Sequence, residues 1–187
     1  SEGDVYKGEG RDGKRTGRGQ HIWPDGHFYE GDYRDDKRNG FGLFMWPDGR
    51  RYRGHYKVDQ RNGHGEFLWP NGDKYAGEYL ESHRHGEGSF SWADGRSYTG
   101  GWRQGGYHGF GQYRHKDQCS YIGQWADNVR SGRGAFYWAD QSFFVGTWAN
   151  GHRIGRGLFF RAAVDCPDRV EAVHEQLWNE DQFEKAK

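Results

Sequence analysis

At 187 residues the chain has room for one ordinary domain, and its 27 basic and 27 acidic residues cancel, which excludes the net basic field of a nucleic-acid binder. A mean hydropathy of −1.21 and 29% charged residues point toward disorder, yet 18% of the residues are aromatic and these recur at fixed places. The scarcity of aliphatic side chains excludes a thick core, so stability must come from rings packed on rings and on glycine backbone.

An aromatic residue opens each of seven segments, at Tyr6, Tyr29, Tyr52, Tyr75, Tyr98, Tyr121 and Phe144, and every gap is 23 residues. A fixed period of this kind dictates a stack of like elements. Two residues on stands a glycine (Gly8, Gly31, Gly54, Gly77, Gly100, Gly123, Gly146). Two further on is a second aromatic (Tyr33, Tyr56, Tyr79, Trp102, Trp125, Trp148), except in the first repeat, which has Gly10 there. Period two places these side chains on one face of a strand. A turn of about six residues is expected next, often ending in Arg-Asn-Gly or Arg-His-Gly. A second period-two run then follows, with a glycine pair, an aromatic and usually Trp, as in Gly40, Gly42, Phe44 and Trp46. Pro-Asp-Gly and its variants turn the chain, with Gly26, Gly49, Gly72 or Gly95 able to take positive φ. Each repeat is thus predicted to be a β-hairpin. Successive hairpins continue one elongated, curved, single-layer antiparallel sheet, roughly 65 Å long at about 4.8 Å per strand. The alternate glycines leave room for rings over the backbone and let the sheet curve.

The first repeat, Gly3 to Gly26, reads as a frayed cap or the survivor of a longer array. Its Gly8 and Gly13-Lys14 mimic a phosphate loop, but Arg15 stands where a metal-binding Ser or Thr is needed and no helix follows. Repeats two to four, Phe28 to Gly95, are the most regular. On the second strands the opposite face carries Ile22, Met45, Leu68, Ser91, Arg114, Tyr137 and Phe160, a row that reads as cross-strand packing or as an exposed apolar stripe. The fifth repeat, Tyr98 to Asp117, departs most: it has Gly100-Gly101, Gly105-Gly106-Tyr107 and His115-Lys116 in place of Trp-Pro. A bend, the edge of a contact surface and simple drift all account for it. The turns Lys116-Asp117-Gln118 and Ala139-Asp140-Gln141 lack glycine and are expected to differ from the rest. After Phe160 the period stops. Asp165-Cys166-Pro167-Asp168 reads as a helix start, and residues 165–187 as an amphipathic C-terminal α-helix. Val170, Val173, Leu177 and Trp178 fall on one side, with Phe183 further along, so the helix is expected to cap the last hairpin, join a dimer or dock another protein.

These residues closely resemble the MORN (membrane occupation and recognition nexus) repeat, roughly Tyr-x-Gly-x-Trp, His-Gly-x-Gly and an Asp-Gly turn over 23 residues. The resemblance runs from Tyr6 to about Phe160 and identifies residues 3–161 as seven MORN repeats. It is weakest at Gly10, at Tyr107 (where six repeats have Arg), at His115 and at Gln118. It implies a place in cytoskeletal, ciliary, flagellar or motor-binding assemblies. It also allows a parent protein with an enzymatic domain elsewhere, since such arrays are appended to kinase and methyltransferase domains.

Within this segment no nucleophile–base pair or isolated carboxylate pair stands out, and no enzymatic activity is expected. The ten histidines lack the spacing of a zinc site, so neither metal nor cofactor is expected. The aromatic–glycine face is expected to form a groove lined by Tyr29, Tyr33, Tyr52, Tyr56, Tyr75, Tyr79, Tyr98, Trp102, Trp125 and Trp148. Such a groove suits an extended peptide or amphipathic helix of a protein partner. The competing reading is that these rings are consumed by packing on each other. A membrane-lipid partner is the second reading, through acidic phospholipid head groups, although Arg34-Asp35-Asp36-Lys37-Arg38 and Arg50-Arg51 are interleaved with carboxylates. A homodimer through the C-terminal hairpin or helix is the third. Cys119 and Cys166 form no disulfide framework and read as reduced thiols in the cytoplasm. No apolar run reaches spanning length and no signal-peptide pattern opens the chain. The chain opens at Ser1 and its one methionine is Met45, which reads as a piece of a longer protein.

Overall fold

The computed structural model describes residues 3–162, 170–179 and 182–184. The chain divides into two compact units, Ser1–Ala93 and Asp94–Lys187. The first holds β1 (Val5–Arg11), β2 (Lys14–Ile22), β3 (Phe28–Arg34), β4 (Lys37–Met45), β5 (Arg51–Lys57), β6 (Gln60–Leu68), β7 (Lys74–Leu80) and β8 (His83–Ser91). The second holds β9 (Ser97–Arg103), β10 (Gly106–Arg114), β11 (Ser120–Ala126), β12 (Val129–Tyr137), β13 (Phe143–Ala149), β14 (His152–Ala162), β15 (Val170–Asn179) and β16 (Gln182–Glu184). Within each unit every strand pairs antiparallel with the next in the chain, so the architecture is the all-β series of consecutive hairpins read from the period.

Glycine faces glycine across these ladders, as at Gly31↔Gly42, Gly42↔Gly54, Gly54↔Gly65 and Gly65↔Gly77. The reason is the ring beside them. Tyr52 lies flat across Gly65, so that a Cβ built there would sit 2.5 Å from its Cε2 and 2.6 Å from its Cζ. The phenol then donates to a carbonyl three residues on: Tyr29 to Asp32 O at 3.1 Å, Tyr52 to His55 O at 3.0 Å, Tyr75 to Glu78 O at 2.9 Å. Each hairpin from β1–β2 to β13–β14 carries a register shift at this point. Gly31 faces Gly42, but Tyr33 faces Arg38, and Gly40 absorbs the extra length at φ 109°.

The expected six-residue turns are corrected. The connections have two residues, Asp35-Asp36, Val58-Asp59, Glu81-Ser82 and Asp127-Asn128, all with positive φ at both positions. These are type I′ turns, whose twist matches the strands they join; Arg-Asn-Gly lies inside the following strand. Val58 at φ 49° is a β-branched residue in the left-handed region and is 57% exposed. Val58→Asn should therefore raise stability by about 1 kcal/mol. An unchanged or lowered melting temperature by circular dichroism would count against that turn geometry.

The glycine-free turns do not differ from the others. Gln118 N donates to His115 O and Gln141 N to Trp138 O, as Gly26 N does to Trp23 O. Gln118 and Gln141 take φ 70° and 67° where the other repeats have glycine.

The predicted C-terminal helix is also corrected: Val170–Asn179 is a strand paired with β14, and β16 pairs in turn with β15. The helix start at Asp165-Cys166-Pro167-Asp168 lies outside the described residues. The physical reason is the edge of β14, whose free backbone donors and acceptors reward a strand more than an isolated helix could. Trp178 takes the place of the second aromatic in an eighth repeat. It faces Gly155 as Trp148 faces Gly132, meets Phe144 edge-on at 5.9 Å, and lies 3.5 Å under the Arg153 guanidinium. On the opposite face Tyr137, Phe143 and Phe160 stack across strands at 5.2 and 4.6 Å, whereas Ile22 and Met45 are 45% and 38% exposed.

Candidate functional site

Within each unit the residues expected to line the groove, Tyr29 to Tyr79 in the first and Tyr98 to Trp148 in the second, share one face and touch one another, but as a buried layer. Tyr29, Tyr52, Tyr75 and Tyr98 are fully buried, and Tyr33, Tyr56, Tyr79, Trp102, Trp125 and Trp148 are at most 8% exposed. The contacts are edge-to-face: Tyr29 meets Tyr33 at 5.2 Å and Tyr56 at 5.5 Å, and Tyr52 meets Tyr56 and Tyr79 at 5.3 Å. In the second unit Tyr98 meets Trp102 at 5.1 Å, and Tyr121 meets Trp125 and Trp148 at 5.1 Å. These rings form the floor of the face.

Burial pushes the phenol of Tyr33 up to about 12, against the pull of Arg15 and Arg38, and those of Tyr79 and Tyr121 also to about 12. Tyr29, Tyr52, Tyr56 and Tyr75 are raised further for the same reason. The unfolded chain ionises its tyrosines near the ordinary value of about 10. A raised folded value means stability complete below about pH 10 and lost as pH rises toward about 12. Melting temperatures should therefore hold to about pH 10 and then fall, with tyrosinate absorbance rising in step with unfolding. Ionisation of these phenols near pH 10 in a chain that stays folded would contradict their burial.

Two further rows flank the floor in the first unit, and neither was among the expected site residues. One is an arginine clip. Arg38 lies 5.0 Å from the Tyr56 ring centroid and 5.1 Å from that of Phe44, and donates to Asp59 Oδ1 and O at 3.1 Å. Arg15 does the same with Tyr33 and Asp36, and Arg61 with Tyr79 and Ser82. The backbone N–H of Arg15 and the guanidinium behind it hold the Asp36 carboxyl below its usual range. For Asp59, burial works upward, but the backbone and side chain of Arg38, with Lys37, prevail and lower it. The signal for this row was the 23-residue recurrence of arginine, which Tyr107 interrupts.

The other row is Trp23, Trp46, Trp69 and Trp92, each partly exposed at the head of a turn. Between the rows lies an open depression of about 500 Å³ lined by Arg15, Trp23, His27, Tyr33, Arg38 and Phe44, among others. The Tyr33 hydroxyl has no hydrogen-bond partner among the described residues. Arg50 and Arg51 do not make one basic patch: Arg50 pairs with Asp48 at 2.7 Å and lies over Trp46, while Arg51 sits opposite Met45 and Leu68 in the strand rows. Among the described residues no group of three His, Cys, Asp or Glu is placed to hold a metal ion, and Cys119 is a half-buried free thiol.

Consecutive hairpins with an opening tyrosine over a glycine pair define a β-hairpin repeat protein. The MORN repeat profile matches residues 6–28, 29–50, 52–74, 75–95, 98–120 and 121–143, and the chain belongs to the MORN repeat family. The hairpin of β13 and β14 continues the pattern as a seventh repeat with Phe144 in the tyrosine place. No curated protein matches the chain. Among solved structures it is similar to the TCP domain of SAS-4 (dCPAP) of Drosophila melanogaster in complex with a proline-rich motif of Ana2 (dSTIL), at 9% identity and TM-score 0.50, covering 90% of this chain and 89% of that one. It is also similar to the G-box domain of the microcephaly protein CPAP, at 15% identity and TM-score 0.48, covering 92% and 99%. The likeness is one of fold.

Proposed function

We infer that this chain is a non-enzymatic interaction scaffold that holds a segment of a protein partner on its aromatic–glycine face, in a cytoplasmic, cytoskeletal or ciliary assembly. The observation that carries this is the open depression between the tryptophan and arginine rows, set on a rigid floor of buried rings. Rigid aromatic surface of this kind binds at low entropic cost. That a protein of like fold is solved with a peptide of Ana2 supports the reading. The expected groove residues serve as the layer that fixes the surface, and the partner meets the rows above them. The arrangement of Arg50 and Arg51 gives acidic lipid no concentrated basic surface.

Affinity capture from lysate of ciliated cells, read by mass spectrometry and paired with vesicle co-sedimentation at physiological salt, tests this. A protein retained in stoichiometric amount with no vesicle binding is the expected result. Vesicle binding without any retained protein would overturn it in favour of membrane attachment.

A further inference from the structure

The tryptophans of the first unit alternate with phenylalanines in one continuous run of rings. Trp23, Phe44, Trp46, Phe67, Trp69, Phe90 and Trp92 follow one another at centroid separations of 5.7, 4.5, 5.3, 4.2, 5.3 and 4.5 Å. The phenyl groups are buried and the indoles are not. The Nε1–H groups of Trp23, Trp46 and Trp69 have no acceptor among the described residues. The face therefore offers one indole per hairpin, and those of Trp23, Trp46 and Trp69 keep an edge donor for a ligand carbonyl.

The spacing of that ladder selects a conformation. Equivalent residues in successive hairpins are two strands apart, about 9.6 Å at about 4.8 Å per strand. A polyproline II helix rises about 3.1 Å per residue with three residues per turn, so one of its edges recurs about every 9.3 Å. Across the three steps from Trp23 to Trp92 the two periods differ by about 1 Å in all. A β-strand returns a side chain to one face about every 6.7 Å and an α-helix turns every 5.4 Å or so, and neither keeps step with the hairpins.

Charge selects as well. Several cations beside the ladder sit in ion pairs, Arg15 with Asp36, Arg38 and Lys37 with Asp59 and Arg50 with Asp48, while Arg61, over Phe67, is held by Ser82 O. A strongly charged segment would compete with these ion pairs, whereas an uncharged one displaces none.

We propose that Trp23, Trp46, Trp69 and Trp92 form a docking track for an uncharged proline-rich segment in the polyproline II conformation, laid across the strands with one three-residue turn per hairpin. Proline rings pack on the indole faces, and backbone carbonyls, which this conformation leaves unpaired, accept from the indole N–H groups of Trp23, Trp46 and Trp69. This rests on the scaffold reading and names the partner's chemistry. About twelve residues fill the track.

The test is to pan an unbiased random-peptide display library on the whole chain and measure the enriched peptides by titration calorimetry. The expected outcome is enrichment of prolines at every third residue. Affinity should fall at least about tenfold in Trp46→Ala with Trp69→Ala, and by a similar factor when one residue is inserted between the triplets. Should the alanine pair not fold, Trp46→His with Trp69→His replaces it, because His115 holds that place in the fifth repeat with the same turn hydrogen bonds. Enriched peptides without the proline period, or binding that survives the tryptophan changes, would overturn the track while leaving the scaffold. A library from which nothing is enriched would overturn both.

Discussion

Gly65→Ala is expected to destabilise the first unit by about 3 kcal/mol or more, enough to unfold it if its margin is ordinary. The added carbon has nowhere to go. It would meet the ring of Tyr52, which is fully buried, hydrogen-bonded to His55 O at 3.0 Å, and wedged between Tyr56 and Tyr79. Gly65 does not have positive φ, so the loss is steric and owes nothing to backbone strain. Gly10→Ala is the control: a Cβ there meets nothing nearer than Lys14 O at 3.4 Å, and the change should stay within about 0.5 kcal/mol. Urea unfolding of both variants decides the matter. If Gly65→Ala is as mild as Gly10→Ala, the ring-on-glycine packing is not what holds the sheet.

The arginine clip should show the next largest effect. Arg38 is 24% exposed, faces three rings and ties the turn at Asp59 back onto β4. Arg38→Ala removes the stacking and leaves the hydrogen-bond acceptors of the turn less satisfied, a loss of about 2–3 kcal/mol. The fifth repeat shows a second way to fill the same slot. There Tyr107 stacks 3.9 Å from Tyr98, packs edge-on to Trp102 and Trp125, and its N–H donates to Asn128 Oδ1 at 2.9 Å, as that of Arg38 does to Asp59. Arg38→Tyr with Asp59→Asn should accordingly recover more than half of what Arg38→Ala loses. Equal losses in the two variants, by thermal melting, would mean that the positive charge matters and the filled volume does not. The same comparison explains the fifth repeat: its departure from arginine is a repacking of one slot, not a break in the fold.

The hairpins were legible because aromatic, glycine and aromatic at alternate positions can satisfy one face of a strand and little else. The two-residue turns were not, since Val58-Asp59 and Glu81-Ser82 carry no glycine to announce positive φ. The twist of the paired strands imposes that conformation, and the residues accept it. The same holds for Gln118 and Gln141. The site was legible as a face but not as a surface. Tyr29 and Trp46 both belong to the period-two pattern, yet one is buried and the other half-exposed, because only the first lies over the glycine pair.

The 23-residue period by itself determined the family, the hairpins and the face that carries the rings. Tertiary structure alone decided which rings are consumed and which remain to meet a partner, because burial depends on the strands that pair alongside. It likewise decided that Val170–Asn179 is a strand. Local composition there favours a helix, but β14 presents an edge of unpaired backbone groups, and Trp178 completes the slot beneath Arg153.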